Sequence, residues 1–227
     1  MSNVAINGFV LAGGRSTRMG RDKALLLWQG RPLIEHTLEK LRTLTANPRI
    51  LGARPDLETF ASTIPDNFPG GGPLAGIEAA LSVTDTELNL FLPVDVPLLP
   101  LEFLRWTTDR ALLTQAAATV PCVEGRLQPL CAVYHRDLRN GIRVALRNGE
   151  GKITRAIEQA ASEQGMPVDA IDVESIAAAR SGEFAENGSS SSRMWPYLWF
   201  QNLNTPGDLE RSLEAPSGLL RDSSPMA

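Results

Sequence analysis

A segment of strand length, Ile6 to Leu11, apolar apart from Asn7, ends in Gly13-Gly14 and is followed by a polar loop from Arg15 to Asp22. A buried strand that ends in paired glycines constrains the chain strongly. Without Cβ atoms, Gly13 and Gly14 let the backbone come close to a ligand and present N–H groups to it. Arg15, Arg18 and Lys23 add three cations around the same point. A triphosphate needs both features, because its negative charge must be met locally. A surface hairpin with scattered charges is the competing reading, and glycines and bases this dense after a buried strand argue against it. The segment is not a Walker P-loop, since no Gly-Lys-Ser/Thr follows the glycines.

The rest of the chain alternates short apolar runs with helical spacing. Pro32, followed by Leu33, Ile34, Thr37, Leu38 and Leu41, predicts a helix with proline near its first turn. Arg49-Ile50-Leu51 predicts a second strand, and Asp56 to Thr63 a helix. Pro65 to Pro73 is a Pro/Gly-rich loop, followed by a helix over Leu74 to Val83. Leu88 to Pro93 reads as a buried strand and Leu101 to Leu113 as a helix. Strands are expected over Ala116 to Val120, Gln128 to Tyr134 and Val168 to Val173, and helices over Asp137 to Arg147 and Ile153 to Ala161. This alternation argues for an α/β fold with a mainly parallel sheet, in which ligands bind beyond the carboxyl ends of strands. One domain over 1–214 is expected. It carries a Ser-rich insert from Glu183 to Arg193 and a flexible tail over 215–227.

Composition bounds the partners. The net charge of -4 over 227 residues gives no overall field to attract nucleic acid or an anionic membrane. No apolar stretch reaches the ~20 residues that span a bilayer, and the N-terminus lacks the basic region of a signal peptide. The expected compartment is the cytoplasm. Cys122 and Cys131 lie in no CxxC or Cys/His cluster, so they read as reduced thiols on neighbouring strands.

Two further segments carry chemistry. In Leu92-Pro93-Val94-Asp95-Val96-Pro97, Asp95 follows an apolar strand at the sheet edge that bears the glycine loop. A carboxylate there is suited to hold Mg²⁺ between a triphosphate and an acceptor. Capping the following helix is the other role open to it. In Asn202-Leu203-Asn204-Thr205-Pro206, alternate asparagines on an extended segment share one face, while Thr205 and Pro206 fit a helix start. The formal GxGxxA at Gly70 to Ala75 has flanking prolines and no preceding strand, so it is no dinucleotide fingerprint. His135-Arg136-Asp137-Leu138 lacks the asparagine and Asp-Phe-Gly of a kinase.

Leu11-Ala12-Gly13-Gly14, Arg18-Met19-Gly20, Asp22-Lys23, Gly72 to Gly76, Asp95-Val96-Pro97 and Asn202 to Leu209 together resemble the molybdenum cofactor guanylyltransferase family, in that family's order. The resemblance implies a Rossmann-like three-layer α/β sandwich of the nucleotide-diphospho-sugar transferase type. It implies transfer of GMP from GTP to the phosphate of molybdopterin cofactor, with release of pyrophosphate. By the family pattern Leu11, Ala12, Gly13, Gly14, Lys23 and Asp66 contact GTP, and Asp95 binds Mg²⁺. Lys23, Arg18 and Asp95 would carry catalysis, with Asn202 and Asn204 on the acceptor side. Transient contact with other cofactor-biosynthesis or acceptor proteins is also implied. Three departures stand out: Gly52 where the family has a nucleotide-contacting asparagine, Gln128-Pro129-Leu130 where some members have His-Pro-Thr, and the Ser-rich insert.

An ionised acceptor phosphate is already a nucleophile, so the expected mechanism is positioning plus charge neutralisation. The alternatives are a cytidylyltransferase or another transferase acting on a related phosphorylated acceptor, and a nucleotide-binding module without catalysis. Retention of both Lys23 and Asp95 argues against the last.

Overall fold

The computed structural model describes residues 6–12, 22–180, 196–203 and 208. Its centre is an eight-stranded sheet. β1 (Asn7–Leu11) lies between β4 (Arg49–Leu51) and β6 (Leu88–Pro93), parallel to both. β5 (Thr63–Ile64) extends the β4 side in parallel. Beyond β6 come β9 (Ala132–His135), antiparallel, then β7 (Ala118–Val123), and β10 (Val168–Asp172) parallel to β7. β8 (Arg126–Leu127) forms a hairpin with β7, and β2 (Leu27–Trp28) with β3 (Arg31–Pro32) makes a separate two-stranded ribbon.

Both faces of the sheet are covered, which explains why its central strands are mostly apolar. Along β1, Val10 and Ala12 enter one core while Phe9 and Leu11 enter the other. The first core packs under α1 (Leu33–Leu44) and α3 (Leu101–Thr114), through Leu33, Ile34, Leu38, Leu41, Phe103 and Leu104. The second packs under α2 (Gly72–Val83), α4 (Arg139–Arg147) and α5 (Ile153–Glu163), through Leu74, Ile77, Ile142, Ala156 and Ile157. The fold is thus a three-layer α/β/α sandwich with a mainly parallel sheet, as expected. Two short helices, α6 (Val173–Ala179) and α7 (Pro196–Trp199), follow β10.

Two expected elements differ. The helix expected over Asp56 to Thr63 is a single 3-10 turn, Pro55–Leu57, and Thr63 and Ile64 pair as β5 instead. β-branched residues beside β4 gain more from ladder pairing than from an isolated helix too short to be stable. The strand expected over Gln128 to Tyr134 begins only at Ala132. Pro129 has no N–H to donate to a ladder, and the Cys131 amide donates to the Gln128 carbonyl at 3.0 Å, closing a turn. The Ser-rich insert and the tail lie outside the described residues.

Strand order positions the site. The chain runs from β1 outward to β4 and β5, then returns across β1 to form β6. The connections leaving β1 and β6 therefore diverge at the carboxyl edge and open a crevice there.

Candidate active site

A cleft of about 700 Å³ occupies this crevice. Its floor is the end of β1, Leu11 and Ala12, beside Pro93 at the end of β6 and Val94 and Asp95 just after it. Leu11 and Pro93 are in register, and the Val94 amide donates to the Leu11 carbonyl at 3.1 Å, so the two chain ends leave the sheet together. One wall is Leu51 at the end of β4 with Gly52 to Arg54 after it, and another is Asp66, Gly70 and the start of α2.

Lys23 and Asp95 meet in this cleft. Lys23 lies in a 3-10 turn, Lys23–Leu25, whose start is capped by the Asp22 carboxylate accepting from the Ala24 amide at 2.9 Å. Its Nζ donates to Asp95 Oδ2 at 3.1 Å. Asp95 does not cap α3, whose N-cap is Pro100, so that alternative role is removed. The backbone around Asp95 is held from two sides. Lys40 of α1 donates to the carbonyls of Pro97 and Leu99 at 2.5 and 2.6 Å, and the Leu203 amide donates to the Asp95 carbonyl at 2.9 Å.

The Leu203 contact ties residues 202–203 to the backbone of Asp95, although neither of them lines the cleft itself. Leu203 is fully buried and its neighbour Asn202 is exposed, so Asn202 projects away from the core where the segment is tied to Asp95. Gly13, Gly14, Arg18 and Asn204 lie outside the described residues.

Asp66 lines the cleft, and partial burial raises its carboxyl above the usual aspartate range. A carboxylate short of solvation gains from a ligand that brings N–H donors. Beside it, α2 begins with no capping side chain and no acidic residue in its first turn. Gly72 holds a left-handed φ of +62°, and an added Cβ there would meet nothing within 4 Å. An open helix start of this kind favours a partial negative charge in the ligand.

The Asp66 loop is anchored from behind. Asn67 Nδ2 donates to Glu78 Oε2 at 2.9 Å, and Glu78, fully buried on α2, also receives Arg143 of α4 at 2.6 Å. At the departure at Gly52, the amide donates to the Ile64 carbonyl at 2.8 Å and the carbonyl accepts from the Arg54 amide at 2.9 Å. These two bonds fix the course of the chain at Gly52, which lines the cleft. Leu130, in the Gln128-Pro129-Leu130 segment, lines the opposite side of the cleft.

Sequence reasoning missed Arg54. Its side chain is only 5% exposed, and it pairs with Asp22 and Asp56 at the cleft wall. The signal was Asp22 beside Lys23 together with Arg54 and Asp56, whose meeting depends on the β1–β4 register. Burial pushes the Cys131 thiol well above its usual range, which leaves it a poor nucleophile.

Among the described residues no group of three or more His, Cys, Asp or Glu side chains could form a metal cage, and no helix is long and apolar enough to cross a membrane. A parallel α/β sheet with a switch-point cleft, a lysine–aspartate pair on its floor and an open helix start on its wall defines a nucleotide-handling transferase.

The chain belongs to the MobA-like NTP transferase domain family, which matches residues 8–164, and it is a nucleotidyltransferase. A relative in Flavobacterium johnsoniae, named "Probable molybdenum cofactor guanylyltransferase", is 34% identical over 146 residues, covering 64% of this chain and 76% of the relative. The crystal structure of molybdopterin-guanine dinucleotide biosynthesis protein A from Archaeoglobus fulgidus superposes with a TM-score of 0.72 at 24% identity, covering 92% of this chain and 98% of that one. That of 2-C-methyl-D-erythritol 4-phosphate cytidylyltransferase from Thermus thermophilus superposes with a TM-score of 0.61 at 18% identity, over 93% and 99%. The fold alone therefore houses more than one nucleobase and acceptor.

Proposed function

We propose that this chain transfers GMP from GTP to the phosphate of molybdopterin cofactor, forming molybdopterin guanine dinucleotide and pyrophosphate. The observation that carries this reading is the Lys23–Asp95 pair at 3.1 Å on the floor of the switch-point cleft, in a chain 34% identical to a relative named for guanylyl transfer.

A phosphate oxygen of the acceptor attacks the α-phosphorus of GTP. One P–O bond forms there as the bond to the bridging oxygen of the leaving pyrophosphate breaks. The nucleophile is already ionised, so no strong base is needed. Lys23 meets the triphosphate charge, with Leu11 and Ala12 beside it in the cleft, and Gly13, Gly14 and Arg18 are assigned to the same phosphates by their place in the sequence. Asp66 accepts from donors on the base. Asn202 and Asn204 serve the acceptor side with amides that both donate and accept.

The donor set fits Mg²⁺. This ion binds through one or two carboxylates plus substrate phosphates and needs no all-protein cage, and Asp95 offers one such carboxylate in the cleft. Bound there, Mg²⁺ would neutralise phosphate charge as the leaving group departs.

Thermal unfolding with each of the four nucleoside triphosphates and magnesium tests the base. A bound ligand raises apparent stability by mass action, so GTP should raise the melting temperature above the other three. Stabilisation by CTP equal to that by GTP would overturn the guanylyl assignment. Release of pyrophosphate only when molybdopterin cofactor accompanies GTP tests the acceptor.

A further inference from the structure

We propose that Arg54 is a positioning residue for Lys23, acting through the carboxylate of Asp22. This inference rests on reading the cleft as the nucleotide site.

Arg54 stands three residues beyond β4, and a guanidinium that is only 5% exposed must be paired. Asp56 supplies a local clamp: Arg54 Nε donates to Asp56 Oδ1 at 3.0 Å and Nη2 donates to Asp56 Oδ2 at 2.7 Å. The same Nη2 also donates to Asp22 Oδ2, from a segment 32 residues away. The other oxygen of that carboxylate, Oδ1, accepts from the Ala24 amide at 2.9 Å and caps the turn that contains Lys23. One carboxylate thus joins a rigidly clamped guanidinium to the start of the lysine turn. Lys23 is the next residue, and its Nζ reaches Asp95 at 3.1 Å.

The chemistry explains why the link needs an arginine. A lysine side chain is a flexible point charge, so where its ammonium sits depends on how firmly its backbone is held. The planar fork of Arg54 engages Asp56 and Asp22 together, whereas a lysine at this position could not keep both geometries. Two carboxylates against one guanidinium leave the cluster with a net negative charge. Arg54 is therefore ill-suited to attract a triphosphate itself. A direct contact is the rival role, because Nη1 is buried with no protein partner and the residue lines the cleft.

A double-mutant cycle separates the two roles. The affinity for magnesium GTP would be measured for the parent chain, Arg54→Lys, Lys23→Met and the double variant, each checked for cooperative unfolding. Arg54→Lys should weaken binding about tenfold, the scale of one charge-assisted hydrogen bond. In the Lys23→Met background it should add no further loss. Asp22→Asn should reproduce the Arg54→Lys effect and stands in for it if that variant does not fold. A loss in the double variant equal to the product of the single losses overturns the inference and assigns Arg54 to direct contact. Parent-like affinity of a folded Arg54→Lys overturns it as well. Failure of the parent chain to bind magnesium GTP would overturn the reading of the cleft, and this inference with it, before any substitution is compared.

Discussion

The ammonium of Lys23 lies 3.1 Å from the carboxylate of Asp95, joining the turn that follows the glycine-rich loop to the segment that follows β6. The two come from neighbouring parallel strands whose ends leave the sheet in register. Their side chains are 25% and 16% exposed, so water reaches the pair and its contribution to folding is modest. On the proposed function, its value lies in placing one cation and one anion where phosphates and a metal need them.

Asp95→Asn should therefore leave folding nearly unchanged and cut turnover with GTP by about a hundredfold or more, as loss of one preorganised electrostatic group does. Steady-state rates at saturating magnesium, with melting curves on the same samples, check this. An unchanged rate would remove Asp95 from the reaction.

Asp66 gives a pH-dependent expectation. Burial raises its carboxyl in the folded chain. A group raised in this way contributes stability that is fully present below its unfolded value, about 3.9, and is lost as pH rises through the folded value. At pH ~7 the ionised carboxylate thus opposes folding. Asp66→Asn should melt higher than the parent at that pH, and the difference should shrink as pH falls toward about 4. On the proposed function the same variant should bind GTP more weakly, because the acceptor proposed for the base would have lost its charge. A melting difference that does not change with pH would show that the carboxylate is not the cause.

The parts of the site that were legible in the sequence are those carried by one strand and its exit. Leu88 to Pro93 is apolar except at Asn89 because β6 is buried on both faces, so its position and that of Asp95 beyond it could be read directly. Lys23 was legible because it follows the glycine loop. Arg54 and Glu78 were not. Each is a charged residue whose burial depends on partners brought by the fold, Asp22 from before the lysine turn and Arg143 from α4. A charge within a loop or helix reads as solvated until the opposite charge is known to face it. Asp56 to Thr63 failed for a related reason, since pairing with β4 decides its conformation and local propensity does not.

Glu78 makes the stability side of this point testable. It is fully buried, held by Asn67, Ser82 and Arg143. Arg143→Met removes the cationic partner and leaves a buried carboxylate without charge compensation, which should cost about 3 kcal/mol. Adding Glu78→Gln to the same chain should recover part of that loss. Urea unfolding of the single and double variants measures both, and equal stabilities of parent and Arg143→Met would show the pair to be dispensable.

Asn202 tests the acceptor side of the cleft. Its neighbour Leu203 is fully buried and donates its amide to the Asp95 carbonyl at 2.9 Å, so the segment is fixed against Asp95 by main chain and by packing. The Asn202 side chain itself is exposed and contributes little to that anchoring. Asn202→Ala should therefore keep the parent's melting temperature within about a degree, since surface changes away from buried features are usually within about 0.5 kcal/mol. GTP affinity should also hold, because Lys23, proposed to meet the triphosphate, belongs to a separate segment of the chain. Transfer to the acceptor should fall several-fold, with the Michaelis constant for the acceptor rising more than that for GTP. A lowered melting temperature with an unchanged rate per folded molecule would instead assign Asn202 to holding the segment in place, and the acceptor contact would then have to come from elsewhere in the cleft.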